Sequence, residues 1–371
     1  MNDTAAGADA RAPDAPAATL ARLTIDLGAL AANYAMLTRI ARPAEVGAVV
    51  KANAYGLGVG PVSARLAREG CHSFFVANLA EGEELRAQLG AVRIFVLSGA
   101  AAAPRACRAA RLTPVLNTLA EVRRWAALAP GTAAALQLDT GMTREGISPA
   151  EVAALAAEPG LLAGITLELL MTHLACADEP AHRQTADQLK RFLPLRARLP
   201  PAPTSIGNSA GLMLGPATRG DLVRAGLALY GGRPFESGDN PMRPVVTLEA
   251  RVLQIHELRE DAAIGYGATY TAHAPARIAT VGVGYADGYP RALGGRAFAF
   301  ACGRRVPVVG RVSMNLAAID ISKLAPAALA AGDFVEMLGP NVPLEELADR
   351  AGTLGYELLV RLSSALPRRW L

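Results

Sequence analysis

Cysteine is scarce in this chain, with four in 371 residues (Cys71, Cys107, Cys176 and Cys302), all far apart and none in a CxxC pair. That spacing excludes a disulfide framework and a thiolate zinc site, and it suits reduced core thiols. Histidine is almost as rare, at five residues, and none falls at a metal-ligand spacing, so no structural metal is expected. Long apolar runs free of charge are lacking too, which argues against a membrane span. The first residues contain no apolar signal core, and a cytoplasmic location is the expectation. Basic blocks and interleaved aromatics are also missing: the net charge is only +4 and the arginines are dispersed, so no nucleic-acid partner is expected.

What is present is half hydrophobic, rich in alanine, and long enough for two domains. Residues 1–19, "MNDTAAGADARAPDAPAAT", have no periodicity and read as a disordered tail. From about residue 45 eight short apolar runs, "EVGAVV", "FFVA", "RIFVL", "TPVL", "AALQL", "ITLELLMT", "TSI" and "LVR", alternate with helical patterns such as "GPVSARLAREG". This count points to a (β/α)8 TIM barrel over residues 20–244, with a doubly wound sheet as the alternative. After residue 244 the runs become strand-like with Gly/Pro turns, giving a smaller, mostly-β C-terminal domain over 245–371. The early run "RLTIDL" suits either part.

The ends of the eight runs carry Lys51, Asn78, Ser98, Asn117, Asp139, His173, Asn208 and Arg224. Loops are polar in any fold, but in such a barrel these positions form the C-terminal face, where the chemistry sits. Lys51, in "AVVKANAYGLG", either snorkels to water or is partly desolvated. In the second case its pKa falls and its neutral amine is able to form a Schiff base. The glycines after it are spaced GxGxG, a poor match to a dinucleotide fingerprint. Two further elements suit a phosphate: "GNSAG", with Ser209 at a helix start, and "VRAGLALYG", with the amides of Gly226 and Leu227 after the eighth run. An N-cap serine and a turn glycine are the plain alternatives.

"AVVKANAYGLG", "LDTGMTREG", "MTHLACADE", "GNSAG", "VRAGLALYG", "GYGATYT", "GYADGYPR" and "VGRVSMN" follow one another in an order and spacing that resembles alanine racemase. The resemblance runs from about Leu23 almost to residue 371. It implies a barrel plus a β domain, pyridoxal 5′-phosphate as cofactor, a homodimer whose sites are shared between subunits, and supply of D-alanine for cell-wall peptidoglycan. By motif, Lys51 would hold the cofactor and act as one base, and Tyr266 would be the other, reaching the partner's barrel. Tyr55, Ser209 and the amides of Gly226 and Leu227 would bind the cofactor phosphate, Asn208 and His173 would also be cofactor-binding residues, Arg224 would face the pyridine nitrogen, and His173 would adjust the tyrosine. Arg144 would engage the substrate carboxylate and the cofactor hydroxyl, and Met314 would offer its backbone amide to the carboxylate. Tyr285, Arg291, Arg311 and Asp178 resemble residues lining the substrate's way in.

Racemisation needs a proton taken from one face of Cα and one returned to the other, so two bases must flank the carbon. The cations Arg144 and Arg224, with His173, would lower the pKa of both. Arginine at the pyridine nitrogen donates a hydrogen bond but will not yield its proton. The chain departs from the family at four positions: Ser313 and Asn315 flank Met314, Ser364 replaces a tyrosine found in some relatives, and Gln137 stands where a carbamylated lysine is common. Gln137 brings no charge to Arg144, and a bound anion such as chloride is the expected substitute. A serine or broader amino-acid racemase, a decarboxylase on a related barrel and a non-catalytic amino-acid sensor are the competing functions. Tyr266 argues against the last.

Overall fold

The computed structural model describes residues 19–362 and 366–371. Residues 1–18 of the expected tail, and Ser364, lie outside the described residues. Thr19 is buried, and its carbonyl accepts a hydrogen bond from Arg251 Nε at 2.9 Å.

The chain forms two units that interleave along the sequence. The larger contains Ile25–Val246, Pro343–Leu362 and Trp370–Leu371. The smaller contains, among its described residues, 19–24, 247–342 and 366–369. A single cut at residue 244 therefore leaves out residues 343–362, which group with the barrel rather than with the β domain.

The larger unit is the expected (β/α)8 barrel. Its strands are β1 (Glu45–Val49), β2 (Ser73–Val76), β3 (Arg93–Val96), β4 (Thr113–Leu116), β5 (Ala133–Gln137), β6 (Thr166–Met171), β7 (Thr204–Ser205) and β8 (Leu222–Ala225). All neighbours from β1 to β7 pair in parallel, and β8 pairs with β1 through Glu45↔Leu222 to Ala48↔Ala225. Between β7 and β8 the ring closes through Asp221 N→Thr204 O (2.7 Å) and Arg224 N→Gly207 O (2.9 Å). Burial on both faces of these strands explains their unbroken apolar runs. Phe75 and Phe95, from adjacent strands, stack with ring centroids 4.8 Å apart. The helices that follow β2, β4 and β5 start at side-chain caps: Asn78, Thr118 and Ser148 each accept from the backbone amide three residues on. Ser148 and Glu151 complete a capping box.

The smaller unit is built on one eight-stranded sheet. Its strand Val246–Leu258 pairs antiparallel with both Phe334–Leu338 and Ala276–Val281, which closes six strands into a second, small barrel. Register shifts at Leu248/Glu249 and Val252/Gln254 let this long strand bend enough to serve both neighbours. Ala21–Ile25, the early "RLTIDL" run, extends this sheet and not the parallel one. Among the described residues no helix is long and apolar enough to cross a membrane.

Candidate active site

The C-terminal mouth of the larger barrel holds a cavity of about 720 Å³. Lys51, Tyr55, Arg144, His173, Asn208, Ser209, Arg224, Gly226 and Leu227 all line it. Residues chosen from sequence motifs up to 176 positions apart thus share one wall, because each follows or ends a barrel strand.

Lys51 directly follows β1, and what comes next is unusual. Ala52, Asn53, Ala54 and Tyr55 all take left-handed backbone angles, with φ of 52°, 54°, 53° and 55°. Each such residue costs about 1–2 kcal/mol when it carries a Cβ. Neighbours lock the turn in place. Ala52 N donates to Glu81 Oε1 (3.0 Å), Asn53 Oδ1 accepts from Val59 N (2.7 Å), and Gly56 N donates to Ala52 O (2.8 Å). Glu81 Oε2 also accepts from Ala77 N at 2.8 Å, which ties the turn to the end of β2. The Lys51 amine, partly buried, has its pKa lowered first by desolvation and then by Arg144, against the opposing pull of Glu81 and Glu145. The lysine is thus partly desolvated at the wall of the cavity.

Turn geometry also delivers Tyr55 to its place. Its ring lies 4.7 Å from the Tyr230 ring and 5.9 Å from that of Tyr356. Burial raises its phenol pKa, so it remains a donor. Its hydroxyl stands over Gly226, where an added Cβ would come within 2.5 Å of Tyr55 Oη. Among the described residues no hydrogen bond reaches that hydroxyl. Ser209 Oγ closes the other side, accepting from Gly226 N (3.0 Å) and Ala228 N (3.3 Å). Leu227 begins a 3-10 turn, whose first amides have no partner within the turn. Asn208 caps the helix Ser209–Leu214 through Gly211 N at 2.9 Å. A phenol, a serine hydroxyl and backbone amides around a glycine are the donors that a phosphate needs.

Arg224 is buried, and its hydrogen-bond partners among the described residues are all neutral. It donates to Ser205 Oγ (2.5 Å), to the carbonyls of Thr172 (2.7 Å) and Ile206 (3.2 Å), and lies 3.2 Å from His173 Nδ1. Burial and then Arg144 push its pKa down to about 9, so at neutral pH it is still a cation. His173 is driven well below its ordinary value by burial, then by Arg224, Arg144 and Lys51. It is neutral, and since Arg224 donates to Nδ1, the ring proton belongs on Nε2.

The "DTGMTREG" loop after β5 is held by Asp139, whose Oδ1 accepts from the amides of Gly141 (2.9 Å), Met142 (3.1 Å) and Thr143 (3.1 Å). That clamp presents Arg144. Gln137 is buried and turns its amide to the carbonyl of Glu145 at 3.0 Å.

Tyr266, Met314, Tyr285, Arg291 and Arg311 belong to the smaller unit and are not among the residues lining this cavity. Tyr266 sits in the loop of a hairpin whose strands, Ala262–Ile264 and Tyr270–Ala272, pair antiparallel. Gly265 and Gly267 supply the positive φ that this loop requires. Tyr266 is 72% exposed and Met314 57%. Asp178 is exposed in the loop after β6.

Three features were given no role by the motifs. Tyr356, on the helix Gly355–Arg361, lines the cavity although it is 301 positions beyond Tyr55. Glu145 and its hydrogen-bond donor Ser98 line it as well. Cys176, Glu179 and His182 bring ligand atoms within 4.8 Å of one another, a grouping that linear spacing did not show. His182 Nδ1 there accepts from Gln184 N at 3.1 Å and caps a helix, which commits one of the ring nitrogens.

The chain matches the family model described as "Alanine racemase, N-terminal domain" over residues 25–234 and the one described as "Alanine racemase, C-terminal domain" over 245–370. It belongs to the alanine racemase family. It is 46% identical to the alanine racemase of Methylobacterium nodulans, over 95% of this chain and 96% of that protein. It is 44% identical to the catabolic alanine racemase of Agrobacterium fabrum, over 94% and 92%. The alanine racemase structure from Bartonella henselae, with covalently bound pyridoxal phosphate, superposes with a TM-score of 0.88 at 33% identity, covering 95% of this chain and all of that one. The biosynthetic alanine racemase from Pseudomonas aeruginosa gives 0.89 at 37%, over 95% and 99%. The fold and family expected from the motifs therefore hold.

Two consequences of this geometry are open to measurement. At the left-handed Ala52, glycine relieves steric strain, so Ala52→Gly should be neutral or stabilise by about 1 kcal/mol. Ala52→Val should destabilise by at least about 1 kcal/mol. A loss of about 1 kcal/mol for the glycine variant, as in an ordinary helix, would show that the turn is not left-handed. His173 refuses a proton in the folded state that the unfolded chain accepts near pH 6.5, so its contribution makes stability fall as pH drops through that value. Denaturant unfolding at pH 7 and pH 5 should show a smaller acid loss for His173→Asn than for wild type. Equal losses would mean that His173 is protonated when folded.

Proposed function

We propose that Lys51 and Tyr266 are the two bases of this alanine racemase and that the Tyr266 serving each cavity comes from a second copy of the chain. The protein interconverts L- and D-alanine with pyridoxal 5′-phosphate. The cavity at the barrel mouth carries this reading: one wall holds a partly desolvated lysine, a glycine-floored set of phosphate donors and a buried arginine.

The residues fit the cofactor by their donor chemistry. Tyr55, Ser209 and the amides of Gly226 and Leu227 would hold its phosphate, with Asn208 fixing the start of the Ser209 helix. Lys51 would tether its carbonyl carbon. Pyridoxal 5′-phosphate, when bound, supplies a conjugated ring that withdraws electrons from Cα of the attached amino acid. Arg224 would offer the ring nitrogen an N–H while keeping its proton, because its pKa stays above neutrality. His173 contributes a neutral ring and adds no charge to the site. Arg144 would bind the substrate carboxylate from its clamped loop, with the Met314 amide as a second donor.

Lys51 Nζ would move a proton at one face of Cα and the Tyr266 hydroxyl at the other. Each base accepts in one direction of the reaction and donates in the reverse. The high exposure of Tyr266 and Met314, with Tyr285 at 44%, supports their use in another chain's cavity and hence a homodimer. The four free cysteines suit a reducing cytoplasm.

Purified protein supplied with cofactor should racemise L-alanine, and Lys51→Ala should abolish the reaction. Tyr266→Phe should lower it by about 100-fold or more while the cofactor stays bound. Mixing these two inactive proteins under conditions of subunit exchange should restore activity to about a quarter of wild type, since half the dimers are mixed and each has one intact site. No recovery despite proven exchange would place both bases in one chain.

A further inference from the structure

The cavity that binds substrate in this reading is crowded with positive charge. Lys51, Arg144 and Arg224 line it, His173 is neutral, and Glu145 is the sole carboxylate among the lining residues. Among the described residues, neither Arg144 nor Arg224 makes an ion pair. We propose that Glu145 is a positioning residue: its carboxylate, held at the cavity wall by Ser98, is the counter-charge built into the cavity for Lys51 and Arg144, so that no added anion is required. The proposal deepens the racemase reading, on which it rests for the role of Lys51.

Glu145 is held on two sides. Ser98 Oγ, at the end of β3, donates to its Oε1 at 2.7 Å, and buried Gln137 donates to its backbone carbonyl at 3.0 Å. Its backbone cannot drift either. On one side Asp139 clamps the amides of residues 141–143, and on the other Gly146 has φ of 126°, with a Cβ there falling 2.7 Å from Asp139 N. Among the described residues Oε2 has no hydrogen bond, and Glu145 and Arg144 are both exposed at the cavity wall.

Three charged groups and one neutral ring surround Lys51. Arg144 and Glu145 come from the loop after β5, Glu81 from the helix Leu79–Gln88, and His173 from the end of β6. Glu81 is already engaged by two backbone amides. Glu145 is the carboxylate not so engaged, and together with Glu81, whose effect is the larger, it raises the lysine's pKa against burial and Arg144. Gln137 then has a different task from the one its position suggested. It carries no charge, but it fixes the residue that does.

The test uses the full chain freed of cofactor and follows acetylation of Lys51 by acetic anhydride against pH, located by peptide mapping. Glu145→Gln retains an acceptor for Ser98 and removes only the charge. Its labelling midpoint should fall by about 1 pH unit relative to wild type, with thermal unfolding unchanged. At constant ionic strength, the wild-type midpoint should be the same in chloride and in a bulky organic anion, whereas chloride should raise that of Glu145→Gln. With cofactor restored, racemisation by the variant should become chloride-dependent and wild-type racemisation should not. An unmoved midpoint, or a wild-type protein as chloride-sensitive as the variant, overturns the proposal. Absence of racemisation in wild type would instead count against the functional reading, because the labelling midpoint is read without turnover.

Discussion

Four successive left-handed residues between Lys51 and Gly56 are the constraint on which the mouth of the barrel depends. A right-handed turn there would carry Tyr55 away from Gly226 and change the direction in which Lys51 leaves β1. At about 1–2 kcal/mol per residue the turn costs roughly 4–8 kcal/mol, comparable with the net stability of a whole domain. It persists because its surroundings over-determine it. Glu81, itself held by Ala77, fixes its backbone at Ala52, Val59 fixes the Asn53 side chain, and burial fixes Ala54 and Tyr55. Strain of this kind is found where position matters more than stability.

Charge is the second constraint. Arg224 is buried among carbonyls, a hydroxyl and an imidazole, each of which satisfies an N–H but none of which cancels its charge. A site so arranged favours anionic and electron-rich ligands at the cations' end. Burial, and after it the neighbouring cations, keeps His173 neutral and lowers the pKa of Lys51, and Arg144 is the one charge that acts on Lys51, His173 and Arg224 alike.

The barrel was legible because its signal is local. Eight apolar runs ending in polar residues became eight parallel strands, and the residues at their ends converged through strand order alone. Tyr356 and Glu145 were not legible. Tyr356 meets Tyr55 only because residues 343–362 pack back on the barrel, and no pattern within that helix reports a partner some 300 positions earlier. Glu145 sits inside a quoted motif, yet one carboxylate in a polar loop gives no sign of which way it faces. The left-handed turn was equally hidden, because "ANAY" contains alanines and a tyrosine where glycines would have announced positive φ.

The return of residues 343–362 and 370 to the first strand's loop has a consequence for biosynthesis. Trp370 Nε1 donates to the carbonyl of Leu57 at 2.9 Å across 313 positions, and Leu359 packs its carbonyl against Gly56. At about 5–20 residues per second on the ribosome, the strained turn emerges tens of seconds before the segments that seat it. The other seven strands of the barrel are all synthesised in that interval, while the wall around Lys51 is still incomplete. Cofactor retention is therefore a property the nascent chain acquires late, well after its barrel sequence has been made.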